Sequence, residues 1–339
     1  MSQRIAPVLV LSALLAGCGG NPFLDAPVDP GPDPDLPEAL PGTPNPTRSS
    51  SIVRYEAREA GTGNGYAEGI TYDPGTDTFS VDNLGFDGAN LYARGGVVAS
   101  LGPYQVYEAA AVVNDPLTLR PIPQFQHRLI AGVSTSGQTE FAIVRTGAYT
   151  GYGFGGFVMR RDSTGVNLPT TGQAGYDGAY AGLQDFNGAG GLRYTTGDAF
   201  VAIDFEDFND GDAVQGYVDN RQIFDMAGNN ITAAVIGQIN AEFSPDPGDP
   251  TISSLPTLIF RVGPGAIDAN GEIRGFLDST LVDYNGDGAA ITTYESGNYY
   301  AIVSGTNAEE VVGIIVVESA YPGIDNLTVR ETGGFILYR

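Results

Sequence analysis

The feature that most limits what this chain can fold into is a repeated alternation of apolar and polar residues over short runs, broken at close intervals by glycine, asparagine and aspartate. In Ala199-Phe200-Val201-Ala202-Ile203-Asp204-Phe205 the residues Ala199, Val201, Ile203 and Phe205 share one face, and Leu258, Phe260 and Val262 do the same around Arg261. A period of two marks a strand with one buried face, and the punctuating residues are those that turns require. Further strands are predicted at 175–181, 213–218, 273–277, 298–303, 311–318 and 334–338. Many short strands with no helices between them predict an all-β chain built as a sandwich or a closed barrel. Residues 230–243 alone also satisfy a helical period, through Ile231, Val235 and Ile239.

The first residues have a different character. Arg4 precedes the apolar stretch Ile5 to Leu15, which ends in Leu15-Ala16-Gly17-Cys18. A charged start, a short apolar core and small residues before a cut describe a secretory signal, too short to span a bilayer. Leu-Ala-Gly-Cys is a bacterial lipobox, in which the cysteine takes the lipid and becomes the first residue of the mature chain. Cys18 is the only cysteine, so no intramolecular disulfide can form. Several acyl chains on one residue hold a protein well beyond the marginal grip of one. The expected partner at this end is therefore the membrane. Gly19 stands where an aspartate would favour inner-membrane retention in enteric bacteria, which points to the outer membrane and the cell surface.

Residues 21–47 read NPFLDAPVDPGPDPDLPEALPGTPNPT, a proline- and acid-rich run with nothing periodic to bury. Such a run is expected to be a tether, and at ~3.1 Å per residue it would reach roughly 80 Å if extended. The expected organisation is a signal peptide over 1–17, a lipidated cysteine and tether over 18–50, and a folded body from residue 51.

Composition narrows the partners. The chain has 339 residues and a net charge of -24, which argues against nucleic acid and anionic membrane surfaces. All sixteen basic residues are arginine, a bias that fits a GC-rich genome. The chain holds a single histidine, His127, so base-assisted nucleophilic catalysis has little to draw on, and His127 reads as a satisfied strand or loop residue. Zinc and copper sites need His or Cys clusters that are missing. Asp283-Tyr284-Asn285-Gly286-Asp287-Gly288 matches the opening of a calcium loop, with Asp283, Asn285 and Asp287 as ligand candidates, but position twelve is Tyr294 and Glu295 falls one residue late. The same residues are what a hairpin turn demands. Asp207 to Asp212 is a looser match. No cofactor is expected, and the chain is read as non-catalytic, with a glycosidase-type carboxylate pair as the residual enzymatic alternative.

The second half resembles a known family. Leu168-Pro169-Thr170-Thr171-Gly172-Gln173-Ala174-Gly175-Tyr176-Asp177-Gly178 is similar to the opening of the barrel domain in transferrin-binding protein B-like lipoproteins, where a proline-led turn enters a Gly-Tyr-x-Gly strand. The strands at 199–205 and 214–218 resemble those that follow, residues 305–313 the family's Gly-Pro-Asn-Ala-Glu-Glu-x-Gly-Gly segment, and residues 334–339 its closing strand. Thr306 and Val312 depart from that segment, which usually has proline and glycine there. The resemblance implies an N-terminal β-rich handle over 51–167 and an antiparallel eight-stranded barrel over 168–339. One such lobe is implied, whereas the transferrin-binding protein has two. It further implies a surface lipoprotein that binds a macromolecule or solute through loops, and it carries over no ligand-binding residue. A structural envelope lipoprotein without a diffusible ligand is the alternative. Within the glycine-aromatic run at 149–157, Tyr149, Tyr152 and Phe154 are candidate ligand contacts, because aromatic side chains often anchor interfaces. A buried handle strand is the other reading of that run.

The lipid anchor is testable directly. Cys18→Ala is expected to abolish lipid attachment and to release or mislocalise the protein, read by fractionation after a carbonate wash; a variant that still sediments with membranes would contradict the anchor.

Overall fold

The computed structural model describes residues 36–339 apart from 68, 86, 148–150, 207–212, 262–265 and 286–288. Eleven strands come first: β1 (Ile52–Tyr55), β2 (Ile70–Asp73), β3 (Thr78–Val81), β4 (Leu91–Arg94), β5 (Ser100–Leu101), β6 (Tyr104–Ala109), β7 (Val112–Asn114), β8 (Pro121–Pro123), β9 (His127–Val133), β10 (Thr139–Thr146) and β11 (Gly155–Arg161). The rest of the chain supplies β12 (Gln173–Asn187), β13 (Arg193–Asp204), β14 (Val214–Phe224), the helix α1 (Thr232–Phe243), β15 (Leu258–Phe260), β16 (Glu272–Asp283), β17 (Ala290–Ser304), β18 (Glu310–Ala320) and β19 (Thr328–Tyr338). Strands β12 to β19 close into an antiparallel barrel in sequence order. Ahead of it, a sheet runs β1-β11-β10-β9-β6-β4-β3-β2, with β5 beside β6 and a separate β7-β8 hairpin. The handle-like sheet and the eight-stranded barrel implied by the resemblance are both present.

Alternation drives the barrel as the sequence predicts. Ala199, Val201, Ile203 and Phe205 are buried with Leu258, Phe260, Ile315 and Phe335 in one core inside the barrel. The paired glycines of β19 serve both faces of its wall. A Cβ on Gly333 would lie 2.0 Å from the hydroxyl of Tyr180 inside, and one on Gly334 would lie 2.4 Å from the ring of Phe141, which arrives from β10 outside. Only a residue without a side chain lets rings press on a strand from both sides. The ambiguous stretch is helical: α1 turns Val235 and Ile239 onto Ile223, Leu255 and Leu281 and covers one end of the barrel.

Beneath that helix the barrel interior is polar. Arg221 donates to both oxygens of Glu295, at 2.7 Å each, and to Glu331 at 3.0 Å. Ser279 donates to Glu295, while Tyr180, Gln184 and Thr195 donate to Glu331. Burial acts to raise the Glu331 carboxyl, but Arg221 and these hydrogen bonds outweigh it and hold Glu331 below its ordinary value.

The sheet and the barrel share a second core. Ile52, Tyr104, Val106, Ile130, Phe141, Ile143, Phe157 and Met159 of the sheet pack on Ala181, Leu183, Tyr194, Val312, Ile314 and Ile336 of the barrel wall. A closed sheet has no edges, yet this wall is apolar on its outside, so a barrel cut free of the handle would expose it. Buried arginines stitch the same seam. Arg145 grips Glu56 at 2.6 and 2.9 Å and reaches Thr332, and Arg330, held by Asp185 of the neighbouring barrel strand at 2.5 and 3.1 Å, donates across the seam to the carbonyl of Thr62 and to the side chain of Asn64. Arg161 donates to the carbonyls of Asn270, Val303, Thr47, Arg48 and Ser50.

The proline- and acid-rich run differs from expectation where it is described. Pro37 is buried, Leu40 packs on the shared core, and residues 41–43 lie along β1, where Tyr55 donates to the carbonyl of Pro41 and Thr43 to that of Val53. A run unfit for a central strand can still cover an edge, because there a proline need offer only its carbonyl.

Removing Arg221 would leave two buried carboxylates without their cation, a change expected to cost about 3–5 kcal/mol. Urea denaturation of Arg221→Met should show that loss, and Arg221→Met combined with Glu295→Gln and Glu331→Gln should recover much of it.

Candidate functional site

The handle sheet curls. Ile70 and Phe79, near one end of its strand order, belong to the same cluster as Ala142 and Val158 near the other. Along the strands, Ile70 and Tyr72, Phe79, Tyr92 and Arg94, Tyr107, Ala131, Ala142, and Val158 and Arg160 all project to the face opposite the barrel. Period-two alternation puts them there, since the residues between them, such as Val106, Ile130, Ile143 and Met159, face the barrel. The curl leaves a groove of about 270 Å³ lined by Ile70, Tyr72, Phe79, Arg94, Tyr107, Val133, Val158 and Arg160.

Three aromatic rings form its wall. Phe79 lies 5.0 Å from Tyr72 and 4.8 Å from Tyr107, the latter edge-on, and Tyr72 and Tyr107 are 6.4 Å apart. Asp77 fixes them. It accepts hydrogen bonds from Tyr107 at 2.8 Å, from Tyr72 at 3.0 Å and from Arg94 at 3.1 Å, and the Arg94 guanidinium sits 4.6 Å from the centre of the Tyr107 ring. Asp77 closes the β2–β3 turn with φ of 52°, a left-handed conformation that aspartate tolerates better than most residues. The Tyr107 bond, with those of Tyr72 and Arg94, lowers the Asp77 carboxyl against a smaller opposing effect of desolvation. Burial, then the bond to Asp77, raises Tyr107, and the Asp77 bond is the main cause raising Tyr72. Both phenols are thus held neutral, as donors to a charged Asp77. On the opposite wall Arg160 pairs with Glu140. The arrangement offers ring faces, apolar patches and charges already balanced in pairs, which is chemistry for holding a ligand rather than for attacking one.

Other hollows offer less. A cleft of about 670 Å³ between residues 97–102 and β12–β14 is larger, but three of its polar side chains are already engaged, Asn220 donating to Asp198 and Gln222 accepting from Asn230. Glu295 and Glu331 both face Arg221, yet the space next to Arg221 and Glu295 is only about 20 Å³, too small for a sugar ring at a carboxylate pair.

The residues singled out from the sequence are dispersed. Cys18, Tyr149 and Asp287 lie outside the described residues, as does the 207–212 loop. Tyr152 is buried at the seam with the barrel; its hydroxyl is 2.7 Å from that of Thr328 and Arg330 lies 4.4 Å above its ring. Burial is the main reason its phenol is pushed up to about 12. Phe154 packs on Tyr66 with ring centres 4.6 Å apart. Asp283 caps a turn by accepting from the amide and the side chain of Asn285, whose side chain also donates to the carbonyl of Glu242 at the end of α1. His127 is buried in β9, with Nδ1 3.0 Å from the carbonyl of Phe125. Sequence reasoning missed the groove: its residues alternate visibly within each short strand, but nothing local says that β2 and β11 face each other.

No family model matches the chain, and no curated protein resembles it in sequence. Among solved structures it is similar to the vaccine antigen Transferrin Binding Protein B of Haemophilus parasuis Hp5. A double mutant of that protein gives a TM-score of 0.38 at 10% identity, and a single mutant gives 0.36 at 10%. The match covers 85% of this chain and 45% of that one in both cases. Intact Ap-TbpB, with its N and C lobes, gives 0.35 at 10% identity, covering 85% of this chain and 46% of that one. The chain therefore spans less than half the length of each.

Asp77→Ala should release both phenols and Arg94. Hydrogen exchange across residues 72–79 is expected to quicken, while global stability changes by less than about 1 kcal/mol, because the Arg94–Asp77 pair is solvent-exposed. Unchanged exchange would mean that Asp77 does not organise the groove.

Proposed function

We propose that this protein is a lipid-anchored, non-catalytic binding protein of the outer membrane, displayed at the cell surface, and that it takes its ligand in the handle groove. The observation that carries this reading is the Asp77-centred aromatic wall. Hydrogen bonds hold Tyr72 and Tyr107 in place around Phe79 beside a hollow that faces away from the barrel, so the exposed ring of Tyr72, backed by the two buried rings, is presented to solvent without the entropy of ordering it on binding. The barrel is the mount: it immobilises the far face of the sheet through an apolar seam and leaves the groove face free. The lipobox at Cys18 supports attachment to the membrane, and the run that follows it supports display away from the bilayer. Here the groove replaces the 149–157 run as the first choice of contact surface, because Tyr152 and Phe154 are engaged within the molecule.

The test compares the full chain with Tyr72→Ala on arrays of glycans and of peptides. Binding that falls about tenfold or more in the variant, at an unchanged melting temperature, is expected from the loss of a central ring. Binding that ignores the substitution would remove the groove as the site, and no binding by either protein would favour a structural envelope lipoprotein.

A further inference from the structure

We infer that the occupant of the groove is an extended polypeptide segment that joins the handle sheet as an additional strand along β2, an inference that rests on the groove being the binding site. β2 pairs with β3 on one side only. The backbone pattern shows which of its groups are free. Asp82 donates to the carbonyl of Gly69 at 2.8 Å, and Val81 turns the other way and donates to Asn90 at 3.0 Å. In the antiparallel register Ile70↔Val81, Thr71↔Ser80, Tyr72↔Phe79, Asp73↔Thr78, the bonds between β2 and β3 therefore fall on the pairs of Thr71 and Asp73. The amides and carbonyls of Ile70 and Tyr72 point outward, and among the described residues no backbone group pairs with them.

Those two residues are also the ones whose side chains enter the groove. An incoming strand bonded to their backbone would place every second side chain against Tyr72, Val158 and Arg160. A sugar or small solute could use the rings but would leave the edge to water, whereas a strand satisfies both. The other edge of the sheet is not available, because residues 41–43 cover β1. The molecule thus covers one edge and leaves open the one beside the aromatic wall, although exposed edges invite unwanted pairing. The outer face of this edge carries Thr71, Asp73 and, next to Gly69, Asp82. The partner segment accordingly alternates apolar or aromatic residues, facing the groove, with lysine or arginine facing out.

The full chain is panned against a displayed library of short random linear peptides, and enriched sequences are synthesised. The expected sequences alternate as described, and binding slows exchange of the Ile70 and Tyr72 amides. Tyr72→Pro removes an outward amide without touching the ladder, a placement that an edge strand tolerates, and should weaken binding about tenfold beyond Tyr72→Ala, which removes the same ring. Should Tyr72→Pro fail to fold, peptides N-methylated at alternate residues give the same answer, one parity binding and the other not. Peptide binding that needs Tyr72 but leaves both amides unprotected would overturn strand addition and keep the groove. Glycan binding that needs Tyr72, with no peptide enriched, would do the same. Peptide binding indifferent to Tyr72→Ala would overturn both.

Discussion

The structure depends on the seam between the curled sheet and the barrel, where an apolar interface is crossed by buried guanidinium groups. Apolar packing alone fixes neither the register nor the rotation of one sheet on another. Arg145, Arg161 and Arg330 do so, because a buried cation must find its acceptors or lose far more than an apolar contact is worth. Each meets an array of oxygens: Glu56 and Thr332 for Arg145, Asp185 in the barrel with Thr62 and Asn64 across the seam for Arg330, and carbonyls of the barrel half and of the N-terminal flank for Arg161. A lysine, with a compact ammonium, could not span such sets. The exclusive use of arginine, which in the sequence looks like genomic bias, is also what this architecture needs.

The barrel follows a related rule on its inside. Its lower interior is filled by rings and branched chains, with glycine opposite the bulkiest rings. Toward α1 the filling becomes a closed polar set around Arg221, satisfied almost throughout, so the helix seals a charged interior from water instead of opening onto a pocket. The aromatic hollow therefore lies outside the barrel. It appears on the far face of the sheet, where curling brings Tyr72, Phe79 and Tyr107 together and a turn aspartate holds them.

Much of the fold was legible from residue pattern. Alternation or a short apolar run marked every barrel strand, although Val214–Phe224 and Gln173–Asn187 run well past the cores that identified them, because cross-strand pairing extends a strand beyond its own hydrophobic signal. The helical period at Val235 and Ile239 was visible too, and so was the turn at Asp283 and Asn285. The groove was not, since Tyr72, Arg94, Tyr107 and Arg160 are far apart in the chain and meet only through the curl. Nor was the fate of Tyr152, because an aromatic run next to glycines looks alike whether it faces solvent or a barrel.

By itself, the sequence determined what is local: the single thiol of Cys18, the two-residue period that makes strands, the turn residues that separate them, and a strongly acidic balance of charge. Tertiary structure alone decided which edge of the sheet is covered and which is open, which arginines are buried, and which aromatic residues end in one wall. The physical reason is range. Periodicity and turn chemistry act over a few residues, whereas an edge, a buried charge pair or a groove is defined by strands that are distant in the chain and adjacent in space.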